Sequence, residues 1–160
     1  MGLETTMFGP YRAVGMRYTG KNENNEIMGL WAEFLPRREE IAMAESGGAF
    51  GVCRCLPGVM DGSYEYVAAF ASTPDAAVPA GMMSLDIPQG EYCIQKFDSV
   101  KDYKQAWNDA MRTFAANPEW GTYCNGPDDC QCAAHPCFEY YPPEFSGTGP
   151  VWICMAVRRK

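Results

Sequence analysis

The sequence is short of positive charge, of histidine and of long apolar runs, and each shortage excludes a class of function. Thirteen Lys and Arg stand against twenty Asp and Glu, a formal net charge of −7, and the longest basic block is Arg158-Arg159-Lys160. Nucleic-acid binding needs a basic footprint to neutralise phosphates, so no direct nucleic-acid partner is expected. The acidic balance favours cationic ligands or a basic protein partner. No stretch approaches the roughly 18 consecutive apolar residues of a membrane span, which predicts no membrane partner. No apolar run follows a basic start, so no secretory leader is expected and the chain reads as cytoplasmic. His135 is the single histidine. There is no CxxC pair, Gly-rich phosphate loop or convincing Ser-His-Asp set, and Gly47-Gly48 and Gly147 read as turns. No cofactor is expected, and the chain is predicted to fold without a metal.

Cysteine is plentiful, at eight residues. A cytoplasmic reading implies reduced thiols rather than four disulfides. Cys53, Cys93, Cys137 and Cys154 sit in apolar, strand-like runs and read as small core residues. Cys124, Cys130 and Cys132 lie in a polar loop. With His135 and Cys137 they could supply soft metal ligands. The missing CxxC pair and the strand position of Cys137 weigh against that rival reading.

What is present suits one folded domain over residues 1–160, with 47% hydrophobic and 21% charged residues. Aromatics reach 13%, enough for a lined pocket or for an aromatic-heavy core. Residues 1–9 read as an irregular start and 11–19 as a strand. Asn24 or Asn25 is expected to cap a helix whose face is Ile27, Leu30, Trp31, Phe34 and Leu35. Pro36 should weaken or kink it, with a continuation over 37–44. Residues 46–48 break the chain, and strands at 49–56 and 64–71 form a hairpin. A further strand spans 81–87. A second round follows: a strand at 91–97, then a helix capped by Asp98 or Ser99 with Val100, Tyr103, Trp107, Ala110 or Met111, and Phe114 on its face. Asn117-Pro118 ends that helix, a cysteine-bearing loop runs to about 135, and strands follow at 137–141 and 151–157.

The order is strand, helix, strand, strand, written twice, with repeats at roughly residues 10–72 and 80–158. The predicted fold is therefore α+β: two pseudo-symmetric β-α-β-β repeats forming an antiparallel sheet, two helices on one face, and a central ligand groove. Within the stretch PCFEYYPPEF, strand alternation puts Cys137, Glu139 and Tyr141 on one face and Phe138 and Tyr140 on the other. A carboxylate among aromatic rings is costly to bury without a partner. Either Glu139 reaches water from an edge strand, or a lipophilic cation resolves the conflict.

These segments carry a resemblance. YRAVGMRY, IMGLWAEF, YEYVAAF, PAGMMSLDIPQGEYCIQKFDSVKDYKQAW, HPCFEYYPPEF and VWICMAV occur in that order over residues 10–157. So arranged, the chain resembles the GyrI-like, or AraC effector-binding, domain of gyrase-inhibitory proteins and multidrug-binding transcription activators. The most specific pieces are IPxGxY (Ile87, Pro88, Gly90, Tyr92) and FExY (Phe138, Glu139, Tyr141). The resemblance implies that Glu139 faces cationic aromatic ligands in a groove lined by Trp31, Phe50, Tyr66, Tyr92 and Tyr141. Trp107 is the weaker candidate, and core packing is the alternative for each ring. It also implies an alternative activity, hydrolysis of cyclopropane-bearing electrophilic natural products with Glu139 as the catalytic acid or base. A gyrase-inhibitor-like protein-partner module is the third reading. A ligand-binding protein is favoured over an enzyme. The sequence holds no helix-turn-helix segment, so the resemblance extends to the effector-binding part alone, and the loop GTYCNGPDDCQCAAHPC exceeds the family pattern in cysteine.

Overall fold

The computed structural model describes residues 3–45, 47–123 and 128–160. Residues 1–2 of the expected irregular start, Ser46 of the expected break and Cys124 lie outside the described residues. In chain order the elements are β1 Leu3–Phe8, β2 Tyr11–Gly20, α1 Glu26–Phe34, a 3-10 turn Leu35–Glu40, β3 Ala49–Cys55 and β4 Tyr64–Ser72. They continue with β5 Met83–Ile87, β6 Gly90–Phe97, α2 Tyr103–Ala115, β7 Trp120–Thr122, β8 Cys137–Tyr141 and β9 Val151–Arg159.

The sheet runs β1-β6-β9-β8-β3-β4-β2-β5, with β7 beside β9, and each described pairing is antiparallel. The two predicted repeats are β2-α1-β3-β4 and β6-α2-β8-β9. They meet at the β3–β8 pair, on either side of which the strand order is mirrored. β1 pairs with β6 of the second repeat, while β5 pairs with β2 of the first. Only two residues link β1 to β2, and two link β5 to β6. Such short links join strands from opposite ends of the order, so the sheet has to curl on itself.

Alternation separates the cores. Phe50, Val52, Val67, Ala69, Tyr92, Ile94, Phe138 and Tyr140 fill the concave side with Leu85 and Ile87 of β5. On the other face α1 lays Leu30 and Phe34 against Val14, Ala68 and Phe70. α2 lays Ala106, Ala110 and Phe114 against Ile153 and Met155. Each helix covers its own repeat, and the strip of sheet between them is left open.

Several expectations need correction. The start of the chain is a strand, because β1 is held by the distant β6 rather than by its own composition. Asn25 occupies the N-cap of α1 at φ 57°, but its side chain does not cap; Asn22 Oδ1 accepts from Ile27 N instead, at 3.0 Å. Pro36 tightens the chain into the 3-10 turn, which stops at Glu40. α2 begins later than expected: Asp102, not Asp98 or Ser99, caps it, accepting from Gln105 N at 3.0 Å. β7 falls within the expected loop. Uniformly reduced thiols were also expected, yet Cys55 and Cys130 form a disulfide. Their separation of 75 residues hides the pair until the β3–β8 ladder brings that loop to the end of β3.

Candidate functional site

Glu139 lies near the middle of β8 and stands opposite Gly51 of β3 in the ladder between the repeats. Its side chain points to the helix face. A Cβ at position 51 would run into the Tyr66 hydroxyl and Glu139 Oε2, so the glycine opens the space in which they meet. Tyr66, one strand further on β4, donates from Oη to Glu139 Oε2 at 2.9 Å. Tyr141, two residues along β8 and thus on the same face, donates to the same oxygen at 2.5 Å. Trp107 of α2 donates from Nε1 to Oε1 at 2.7 Å. Trp31 of α1 donates from Nε1 to Tyr66 Oη at 2.9 Å. The carboxylate is therefore reached from both helices, directly from one and through a phenol from the other.

Glu139 is 5% exposed. Burial pushes its pKa up, while the hydrogen bonds from Tyr141, Trp107 and Tyr66 pull it part of the way back. Its charge in turn adds to the burial that raises Tyr66 and Tyr141 well above the usual phenol range. Glu65, the other buried carboxylate among the described residues, is neutralised by Arg17 and Arg54. Among the described residues no Lys or Arg forms an ion pair with Glu139.

A cavity of about 1350 Å³ opens between the helices over this carboxylate, large for a single small-molecule site. Trp31, Tyr66, Trp107, Glu139 and Tyr141 all line it, which brings together five of the seven residues singled out in the sequence. Trp31 and Tyr141 meet edge to face at 5.6 Å between centroids, and Phe145 packs on Tyr141 at 5.0 Å. Phe50 and Tyr92 are elsewhere. Both point to the concave core, where each packs against Phe8 and Phe138, and Tyr92 Oη donates to the Pro88 carbonyl at 2.7 Å. Strand parity separates them from Glu139: Phe50 is one residue from Gly51, hence on the opposite face.

Sequence reasoning missed Met28, Leu35, Tyr103, Met111 and Phe145, which also line the cavity. A signal was available. Met28, Trp31 and Leu35 recur at three- and four-residue spacing along α1 and into the 3-10 turn, and Tyr103, Trp107 and Met111 recur at four-residue spacing on α2. Met28 is 72% exposed and Met111 44%, so each helix carries a second apolar stripe beside its buried one. Flexible thioethers at a cavity mouth adapt to ligands of different shape.

Comparison with known proteins agrees with this architecture. Residues 9–156 match the family described as Cass2, integron-associated effector binding protein. The transcriptional regulator BrlR of Pseudomonas aeruginosa is 33% identical over 85 residues, which cover 52% of this chain and 30% of that protein. The chain thus matches under a third of the length of that curated relative. Three solved structures share the fold at low identity. SAV2435 bound to tetraphenylphosphonium superposes with a TM-score of 0.68 at 16% identity, covering 99% of this chain and 94% of that one. The EcmrR C-terminal domain gives 0.68 at 10%, covering 99% and 98%. The integron cassette protein Cass2 of Vibrio cholerae gives 0.64 at 16%, covering 98% and 96%. A curled antiparallel sheet of two repeats, a carboxylate at their seam and a family match across nearly the whole sequence lead to one assignment: the chain belongs to the Cass2 family of effector-binding proteins and is a ligand-binding domain of the GyrI-like type.

Proposed function

We propose that the cavity takes small, lipophilic, cationic aromatic molecules, with Glu139 as the counter-charge and the surrounding rings as the contact surface. The observation that carries this reading is a buried carboxylate with no basic partner among the described residues, placed at the base of a wide aromatic cavity. A bound cation would draw the carboxyl back to its charged form. Ring faces add about 0.5–2 kcal/mol for each cation contact. Apolar walls with few directed hydrogen bonds suit ligands of varied shape, and the related SAV2435 has been solved with tetraphenylphosphonium. Titration with tetraphenylphosphonium or a rhodamine should quench Trp31 and Trp107 fluorescence with micromolar affinity. An unquenched spectrum, with equilibrium dialysis showing no uptake, would defeat the proposal.

A second reading rests on the raised pKa of Glu139. A carboxyl tuned upward beside two phenols is what a general acid or base requires, and an electrophilic cyclopropane would be its substrate class. Incubation with a cyclopropane-bearing electrophile separates the two. A ring-opened, water-added product that disappears with Glu139→Gln supports the hydrolase, and unchanged compound supports the binder.

A further inference from the structure

At the end of β3 three sulfurs converge. The Sγ atoms of Cys55, Cys130 and Cys132 all lie within 4.8 Å of one another, and those of Cys55 and Cys132 are 3.4 Å apart. Cys55 is fixed by the β3–β4 ladder opposite Tyr64. The loop is fixed by Gln131 N donating to the Tyr123 carbonyl at 3.1 Å and His135 N to the Gln131 carbonyl at 2.9 Å. The His135 ring stacks on Tyr123 at 3.6 Å and is outside the sulfur cluster, as is Cys137. Of the rival ligand set expected from the sequence, Cys124, Cys130, Cys132, His135 and Cys137, two members, Cys130 and Cys132, join Cys55 here, and Cys124 lies outside the described residues.

We propose that these three cysteines form a trithiolate site for a soft, three-coordinate thiophilic ion, represented by trivalent arsenic. Three sulfurs bonded to one centre at about 2.3 Å stand roughly 4 Å apart, so opening the disulfide leaves little further movement to make. Among the described residues no carboxylate or imidazole joins the group, and an all-sulfur set selects soft ions over hard ones. Cys132 is buried while Cys55 and Cys130 are half-buried, which shields the site yet leaves an approach. Loading follows reduction. A dithiol gives two electrons and two protons to the Cys55–Cys130 bond and leaves as its own disulfide. Arsenite then exchanges its three hydroxyls for three thiolates: As(OH)3 and three thiols give As(S-Cys)3 and three waters, with no change in oxidation state. The site is a reversible loading point and not a structural metal centre.

The test uses the full chain reduced with a water-soluble phosphine, desalted without oxygen and mixed with arsenite. Native mass spectrometry should find one arsenic per chain, with three fewer thiols open to Ellman's reagent. The oxidised protein should take up none. Cys55→Ser, Cys130→Ser and Cys132→Ser should each lower affinity at least tenfold, while Cys93→Ser and Cys154→Ser, both outside the cluster, leave it unchanged. The wild-type comparison of reduced and oxidised states stands even where a serine variant fails to fold. The assignment is overturned by a reduced, folded wild type that retains no arsenic, by equal uptake in both redox states, or by loss of uptake with Cys154→Ser. Zinc held more tightly than arsenite would overturn the three-coordinate assignment as well.

Discussion

Replacing Glu139 with Gln should weaken cation binding and, as pH rises, improve the stability of the unliganded fold relative to wild type. The ring donors already occupy both carboxylate oxygens, so a cation centre approaches no nearer than about one side-chain thickness. At roughly 6 Å and an effective dielectric of about 20 the attraction is about 3 kcal/mol. Water at the open mouth reduces it, which leaves a loss of roughly 1–3 kcal/mol, or about five- to 150-fold in Kd. The unliganded protein responds the other way. Burial raises the pKa of Glu139, so the folded chain favours the protonated acid. Below the unfolded value of about 4.3 both states hold the proton and ionisation costs nothing. As pH rises through the folded value that advantage is lost, and the charged group then weighs on the fold. A neutral amide escapes this cost, although its NH2 suits the ring donors less well at every pH. The stability of Glu139→Gln relative to wild type should therefore improve between pH 4 and pH 7.5. Calorimetric melts at both values, with and without tetraphenylphosphonium, measure the two effects together. Equal cation affinity in the two proteins, or a stability gap that ignores pH, would refute the reasoning.

The same group predicts a pH profile for binding. Affinity for a permanent cation should fall as pH drops through the raised Glu139 value, while a neutral ligand of matched shape should show little change; parallel calorimetric profiles would count against the counter-charge role. Gly51→Ala should cost about 1–3 kcal/mol by overpacking and weaken cation binding, read from denaturant melts and fluorescence titration, because its methyl group meets Tyr66 and Glu139. Tyr92→Phe should lose the bond to Pro88, about 1 kcal/mol, and leave ligand affinity within twofold, since Tyr92 belongs to the other face. Exhaustive chelation should leave the circular dichroism unchanged, because apolar contacts such as Phe34 on Phe70 and Phe114 on the α2 side of the sheet hold both helices in place.

How much of this was legible in the sequence follows from the range of the forces involved. The repeats, both helices and most strands carry local signals, such as the apolar spacing of Leu30 and Phe34 or the alternation of Phe138, Glu139 and Tyr140. The placement of Glu139 beside Tyr141 follows from strand parity alone. Phe50 and Tyr92 were misplaced because a family resemblance transfers position but not parity, and one residue of register reverses the face. β1 and the Cys55–Cys130 bond depend on partners far along the chain, to which local composition is blind. Trp107 gives the opposite lesson. Its helical spacing suited plain core packing, and its contact with Glu139 follows only from the way α2 lies over β8.

The exchange of outer strands makes the two halves inseparable. β1 leads into the first repeat but closes the rim of the second, and β5 leads into the second but closes the rim of the first. This is the connectivity of a swapped dimer fused into a single polypeptide. Neither half carries its own complete rim, so a fragment ending between β4 and β5 would expose the backbone of β2 to any passing strand, an invitation to aggregate. The rims close only when segments roughly seventy to ninety residues apart meet, as Tyr11 meets Ile87 and Thr6 meets Tyr92, which places this chain among slow-folding topologies. Trimming the first eight residues, however dispensable they look, would strip the cover from β6 and cost solubility before it touched the ligand site.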